Sequence, residues 1–256
     1  MDFCKLNKGC LYNVIMEKPA VISTHDGKKI YGILRGSLDK PLLVFIHGFT
    51  GDMNQHLFFN GARFFEKKGI SAFRFNLYSW REGARKLNDS PLSLLGKDLD
   101  TVISYFREKG VKKIFVAGHS FGGVTVLLSQ KQDFDAAILW DSSGDKDVHL
   151  KAKYVKAIDK YLLQEGWAED FTIGKEMYEE NNKKLAPTKL IAKIKAPIKI
   201  IIAGAGEMIE DGNELFYAAN EPKDKATIEG ATHNFDEDGT EEKLFEETYK
   251  WIKRFV

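Results

Sequence analysis

Gly118-x-Ser120-x-Gly122 is the segment of this sequence with the plainest chemical content, a serine with glycine two residues to either side. Such a serine can occupy a sharp turn between a strand and a helix: the glycines let the two elements pack without Cβ collisions, and the hydroxyl projects from the strand's end. A serine hydroxyl is a weak nucleophile until a base takes its proton and donors receive the negative charge that develops on the attacked carbonyl. Two backbone donors are expected. One is the N–H of Phe121, directly after the serine at a helix start, where the helix dipole also favours negative charge. The other is the N–H of Phe49 in His47-Gly-Phe-Thr-Gly51.

Six histidines compete to be the base. His119 adjoins the serine, but its side chain is expected to point away from a tight turn and to pack. His47 is expected to brace its own loop. His25 falls in a hairpin, His56 opens a helix and His149 lies in an insertion, whereas His233 follows the last strand in the small-residue loop Glu229-Gly-Ala-Thr-His-Asn-Phe235. Loops after different strands converge at the C-terminal edge of a parallel sheet, so His233 is the expected base. Its orienting carboxylate is assigned to Glu207, the first acid beyond the strand in Ile200-Ile-Ile-Ala-Gly-Ala-Gly206, with Asp141 and Asp211 as alternatives.

These residues need a scaffold, and the hydrophobic pattern supplies one. Short β-branched and aromatic runs alternate with amphipathic stretches, the pattern of a mostly parallel sheet covered by helices on both faces. Ala20–Thr24 and Lys29–Leu34 flank an Asp-Gly turn and predict antiparallel strands at the start. Strands are expected at Leu42–Ile46, Ser71–Phe75, Ile114–Ala117, Ala136–Trp140, Ile198–Ala203 and Ala226–Ile228. Helices are expected over about Gln55–Lys68, from Pro91 to Gly110, over Phe121–Gln132 and over Glu241–Phe255. From about Asp145 to Lys195 the alternation breaks. Tyr154, Val155, Ile158, Tyr161 and Leu162 recur at helical spacing there, so the stretch reads as a helical cap folded over one α/β domain spanning the whole chain. Tyr154, Tyr161, Trp167 and Tyr178 are candidates to wall an apolar acyl or aryl pocket.

Composition excludes several other functions. The chain has 256 residues, 43% of them hydrophobic, enough for a sizeable core. Its 38 Lys and Arg nearly balance 37 Asp and Glu, which leaves no net field to gather nucleic acid or an anionic membrane. No apolar run is long enough to span a bilayer, no secretory signal is expected from Met1-Asp-Phe-Cys-Lys5, and Cys4 and Cys10 read as free thiols, so the expected location is cytoplasmic. No histidine or cysteine cluster has metal-ligand spacing and no phosphate-binding glycine loop is present, so neither metal nor organic cofactor is expected. The expected partner is a small ester; the oligomeric state stays open between monomer and homodimer.

His47-Gly48, Gly118-His-Ser-Phe-Gly122 and Gly230-Ala-Thr-His233 together resemble the α/β-hydrolase family, over about Leu42–Val256. The order serine, acid, histidine matches that family's order. The inserted segment and Lys193-Ile-Lys-Ala-Pro197 resemble esterases with a small cap, including cinnamoyl- and feruloyl-esterase-like members. The resemblance implies a carboxylesterase, a serine hydrolase with a catalytic triad, nucleophile elbow and oxyanion hole. A thioesterase or acyl-peptide hydrolase is the enzymatic alternative, and a non-catalytic binding protein on the same scaffold the alternative of another class. At 207 this chain has Glu where such esterases usually place Asp.

Overall fold

The computed structural model describes residues 17–146, 150–163 and 171–256. Cys4, Cys10, His149 and Trp167 lie outside them. The chain begins with the expected hairpin, β1 (Lys18–Ser23) antiparallel to β2 (Lys29–Arg35). Its turn is fixed by Gly27 at φ +77 and by the Lys28 N–H donating to Thr24 Oγ1 at 2.9 Å. Then β3 (Leu42–Ile46), α1 (His56–Lys67), β4 (Ser71–Phe75), α2 (Leu92–Glu108), β5 (Ile114–His119), α3 (Phe121–Leu127) and β6 (Ala136–Trp140) follow in regular alternation. Helix α3 is shorter than its sequence suggested. It ends before Ser129, whose hydroxyl bonds Asp100 of α2.

Strands β7 (Ala152–Val155), β8 (Lys160–Leu163) and β9 (Phe171–Ile173) then form a separate three-stranded antiparallel sheet, followed by α4 (Lys175–Lys184) and α5 (Pro187–Ile191). The cap is therefore not the all-helical insertion that its spacing suggested. Tyr154 and Tyr161 are seven apart, which reads as one helix face, but they are directly paired across the β7–β8 hairpin with rings 5.3 Å apart. Ile158 sits in the turn, 54% exposed. Helix α4 docks on α2 through Glu180, whose two carboxylate oxygens accept from the N–H and the hydroxyl of Ser93 at 2.9 and 2.8 Å.

The chain closes with β10 (Ile198–Ala203), α6 (Ile209–Ala218), β11 (Lys223–Ile228) and α7 (Thr240–Ile252). The main sheet runs β1-β2-β4-β3-β5-β6-β10-β11, parallel from β4 onward. Strands β3, β5, β6 and β10 are buried along their whole length. The continuous apolar runs of β3 and β6 follow from having helices on both faces. Leu42, Val44 and Ile46 pack with Leu95, Leu99 and Val102 of α2, while the alternate residues Leu43 and Phe45 pack with Phe58 and Phe65 of α1 and Phe245 of α7. Among the described residues no helix is long and apolar enough to cross a membrane.

Candidate active site

Ser120 joins β5 to α3 at φ 54, ψ −123, a conformation that L residues avoid. Glycine makes the crossing possible. A Cβ on Gly118 would lie 2.4 Å from the Gly122 carbonyl oxygen, and one on Gly122 would lie 2.2 Å from that of Ile46. The strained turn is held from below, because the Ser120 N–H donates to Trp140 O at 2.9 Å. The serine therefore stands at the C-terminal edge of the sheet, beside the loop that follows β3: a Cβ on Gly48 would be 3.2 Å from Ser120 Cβ.

That neighbouring loop is clamped from behind. His47 Nδ1–H donates to Gly48 O at 2.8 Å, and the Leu77 N–H donates to His47 Nε2 at 3.0 Å, which together select one neutral tautomer. Burial pushes the His47 imidazole down to about 4, so the neutral form persists. The Tyr78 hydroxyl accepts from the Thr50 N–H at 2.7 Å and donates to Gly48 O at 3.3 Å. Phe49 lies between those two anchored residues, with Thr50 at φ 58 closing the turn. The bracing role expected of His47 is what the geometry gives it. Tyr78 was not singled out in the sequence, because nothing in Asn76-Leu-Tyr-Ser marks which residue turns back onto another loop.

His233 reaches the same edge from the loop between β11 and α7. Its Nδ1 is 2.7 Å from Asp141 Oδ2, and the Asp141 side chain is fully buried while that of His233 is 35% exposed. The other Asp141 oxygen accepts the Ala203 N–H at 3.0 Å. Asp141 is the first residue beyond β6, at φ 41, and its own N–H donates to Ile201 O at 2.7 Å. Both its backbone and its carboxylate are thus tied to β10.

The carboxylate facing His233 is therefore Asp141, not Glu207. Glu207 is solvent-exposed on the loop after β10. Asp211 is buried in the first turn of α6 against Gly144, where a Cβ would lie 2.2 Å from its Oδ1. Glu210 pairs on the surface with Lys146 at 2.6 Å. The physical reason is sheet order: β6 lies between β5 and β10, so the end of β6 is next to the end of the serine's own strand.

His119 takes the packing role expected of it, but not the expected direction. Its ring does not turn away from the site but lies beneath that of His233, centroids 4.6 Å apart, and its Nε2–H donates to His233 O at 2.8 Å. Burial, with the neighbouring His233 adding to it, pushes the His119 imidazole down to about 3. A neutral ring thus supports the main chain that carries His233.

Above Ser120 and His233 opens a cleft of about 430 Å³. Phe49 and Phe121, in edge-to-face contact at 5.6 Å, form one apolar wall with Leu150; Met208, Glu207 and Thr232 also line it. Leu150 is the cap's contribution among the described residues. The tyrosines expected as pocket walls are elsewhere: Tyr161 stacks on Tyr178 at 3.9 Å, and the Tyr154 hydroxyl donates to Asp159 at 2.6 Å.

The strand order, the strained serine turn and the helices on both faces define an α/β-hydrolase fold. Solved structures share it across almost the whole chain. Est1E from Butyrivibrio proteoclasticus, solved with ferulic acid bound, superposes with a TM-score of 0.78 at 20% identity, covering 92% of this chain and 98% of that one. The esterase domain of a Rhodothermus marinus protein gives 0.70 at 19% identity over 94% and 99% of the two chains. A dienelactone hydrolase from Anabaena variabilis gives 0.68 at 14% identity over 94% and 98%. No family model and no curated protein sequence matches the chain.

Proposed function

We propose that this chain is a serine hydrolase of carboxylic esters, with Ser120 as nucleophile, His233 as base and Asp141 as the carboxylate that orients it. The observation that carries the reading is the 2.7 Å bond from His233 Nδ1 to a fully buried Asp141 carboxylate at the sheet edge where Ser120 is held at φ 54. With Nδ1–H donated to Asp141, the lone pair on His233 Nε2 is free to take the serine proton. Ser120 Oγ then attacks the ester carbonyl, and the Phe49 and Phe121 N–H groups receive the oxyanion. Collapse of the tetrahedral intermediate expels the alcohol, which takes its proton from His233. Water, activated by the same imidazole, releases the acid from the acyl-enzyme and restores Ser120.

A cleft of about 430 Å³ with a Phe49–Phe121 wall suits a small acyl or aryl ester. The ferulic acid bound in Est1E is an aryl acid of that kind and supports the same reading. A fluorophosphonate probe is expected to label the protein, with the modified peptide carrying the tag on Ser120, and p-nitrophenyl butyrate is expected to be cleaved. Absence of both labelling and turnover would overturn the assignment. The clamp behind the oxyanion donors gives a second, smaller effect. Tyr78→Phe releases the Thr50 N–H and should lower kcat about tenfold with KM within about twofold, because the misplaced donor matters most once charge has formed. A rise in KM at constant kcat would assign Tyr78 to substrate binding instead.

A further inference from the structure

The loop after β10 leaves a carboxylate in the cleft that the reaction does not use. Among the described residues lining the cleft, Glu207 is the one carboxylate and none is Lys or Arg; the rest are apolar or neutral apart from His233. No cation among the described residues pairs with Glu207, whereas the nearby Glu210 is engaged by Lys146 at 2.6 Å. A carboxylate on the cleft wall with no described cation beside it meets a bound ester at short range, so it discriminates between charged ligands.

Its position indicates which part of the ester it meets. The Ala205 N–H donates to Ala231 O at 2.8 Å and the Gly204 N–H to Ile228 O at 2.9 Å, stitching the Glu207 loop to the loop that carries His233. In ester cleavage the departing alcohol leaves beside the imidazole that protonates it. Phe49 and Phe121 stand with the oxyanion donors, and Glu207 stands with the histidine. We propose that the cleft selects esters by the charge of their alcohol part, accepting a cationic or uncharged alcohol and rejecting an anionic one, with Glu207 as the selecting group. This rests on the serine-hydrolase reading above.

The test compares butyrylcholine with its uncharged isostere, 3,3-dimethylbutyl butyrate, and with the anionic 2-sulfoethyl butyrate. In the wild-type protein kcat/KM is expected to be about fivefold or more higher for the cationic than for the neutral ester, and about as much lower for the anionic one. The cationic-to-neutral ratio should fall toward one in Glu207→Gln and drop below one in Glu207→Lys. Raising salt from about 0.05 M to about 0.5 M should compress the wild-type ratio, because the screening length shortens. A wild-type ratio near one, or a ratio untouched by Glu207→Gln, overturns the proposal. If Ser120 is labelled by fluorophosphonate while the ratio stays at one, charge selection alone fails. If neither labelling nor turnover of any of the three esters occurs, the hydrolase reading fails and takes this one with it.

Discussion

Asp141→Asn is expected to lower kcat for a p-nitrophenyl ester by about 10⁴-fold while leaving the melting temperature within a few degrees of wild type. The geometry dictates how the amide must sit. Ala203 presents an N–H to one side-chain oxygen of residue 141 at 3.0 Å, so the asparagine must keep its carbonyl there. Its NH₂ group then faces His233 Nδ1. That nitrogen has to become an acceptor, which moves the ring proton to Nε2 and aims it at the serine, so the imidazole can no longer take the serine's proton. Kcat and kcat/KM should fall together, since the lost interaction belongs to the transition state. Glu207→Gln, measured in parallel on the same neutral ester, should cost less than about tenfold. If Glu207→Gln is the crippling change and Asp141→Asn is mild, the assignment made from the 2.7 Å contact is wrong.

The acid shows where reading a sequence stops and geometry begins. Ser120 and His233 carry local signals: a glycine-bracketed turn between strand and helix, and a small-residue loop after the last strand. Strands β3, β4, β6 and β10 were legible to the residue for a similar reason, since short, mostly apolar runs bounded by turn residues have few other uses. Choosing among Asp141, Glu207 and Asp211 requires sheet order, and sheet order is not written locally. Chain position favours Glu207. The crossover that puts β6 between β5 and β10 favours Asp141, at no cost to the order serine, acid, histidine. The same limit applies to the cap, where a seven-residue tyrosine spacing fits a helix face and a hairpin register equally well. It applies to Arg85 too, which bonds Asp98 of α2 and Asp26 of the first hairpin from a loop with no distinguishing pattern.

Two buried histidines make the fold itself sensitive to acid. His47 is pushed down to about 4 and His119 to about 3, in both cases chiefly by burial, while in the unfolded chain each titrates near ~6.5. Between about pH 6.5 and those lower values the unfolded chain therefore binds more protons than the native one. Stability rises with pH wherever that holds, so it is fully present above about pH 6.5 and is lost as the pH falls. Each histidine contributes a slope approaching about 1.4 kcal/mol per pH unit. Together they predict a loss of about 5 kcal/mol between pH 7 and pH 4.5, comparable to the whole stability of many domains. The Asp26 carboxylate is separable from this effect. Asp26, held well below the usual carboxylate range by the Arg85 guanidinium, begins to lose its contribution only below about pH 4. Urea unfolding at closely spaced pH values between about 7 and 4.5 reads the slope directly. His119→Asn, if it folds, should roughly halve that slope, because one of the two proton-linked sites is gone. A stability that stays flat across the range would mean that both rings protonate in the native state. That result would undo the tautomer argument at Gly48 and Leu77, because a protonated His47 cannot accept the Leu77 N–H that fixes its place behind the loop carrying Phe49.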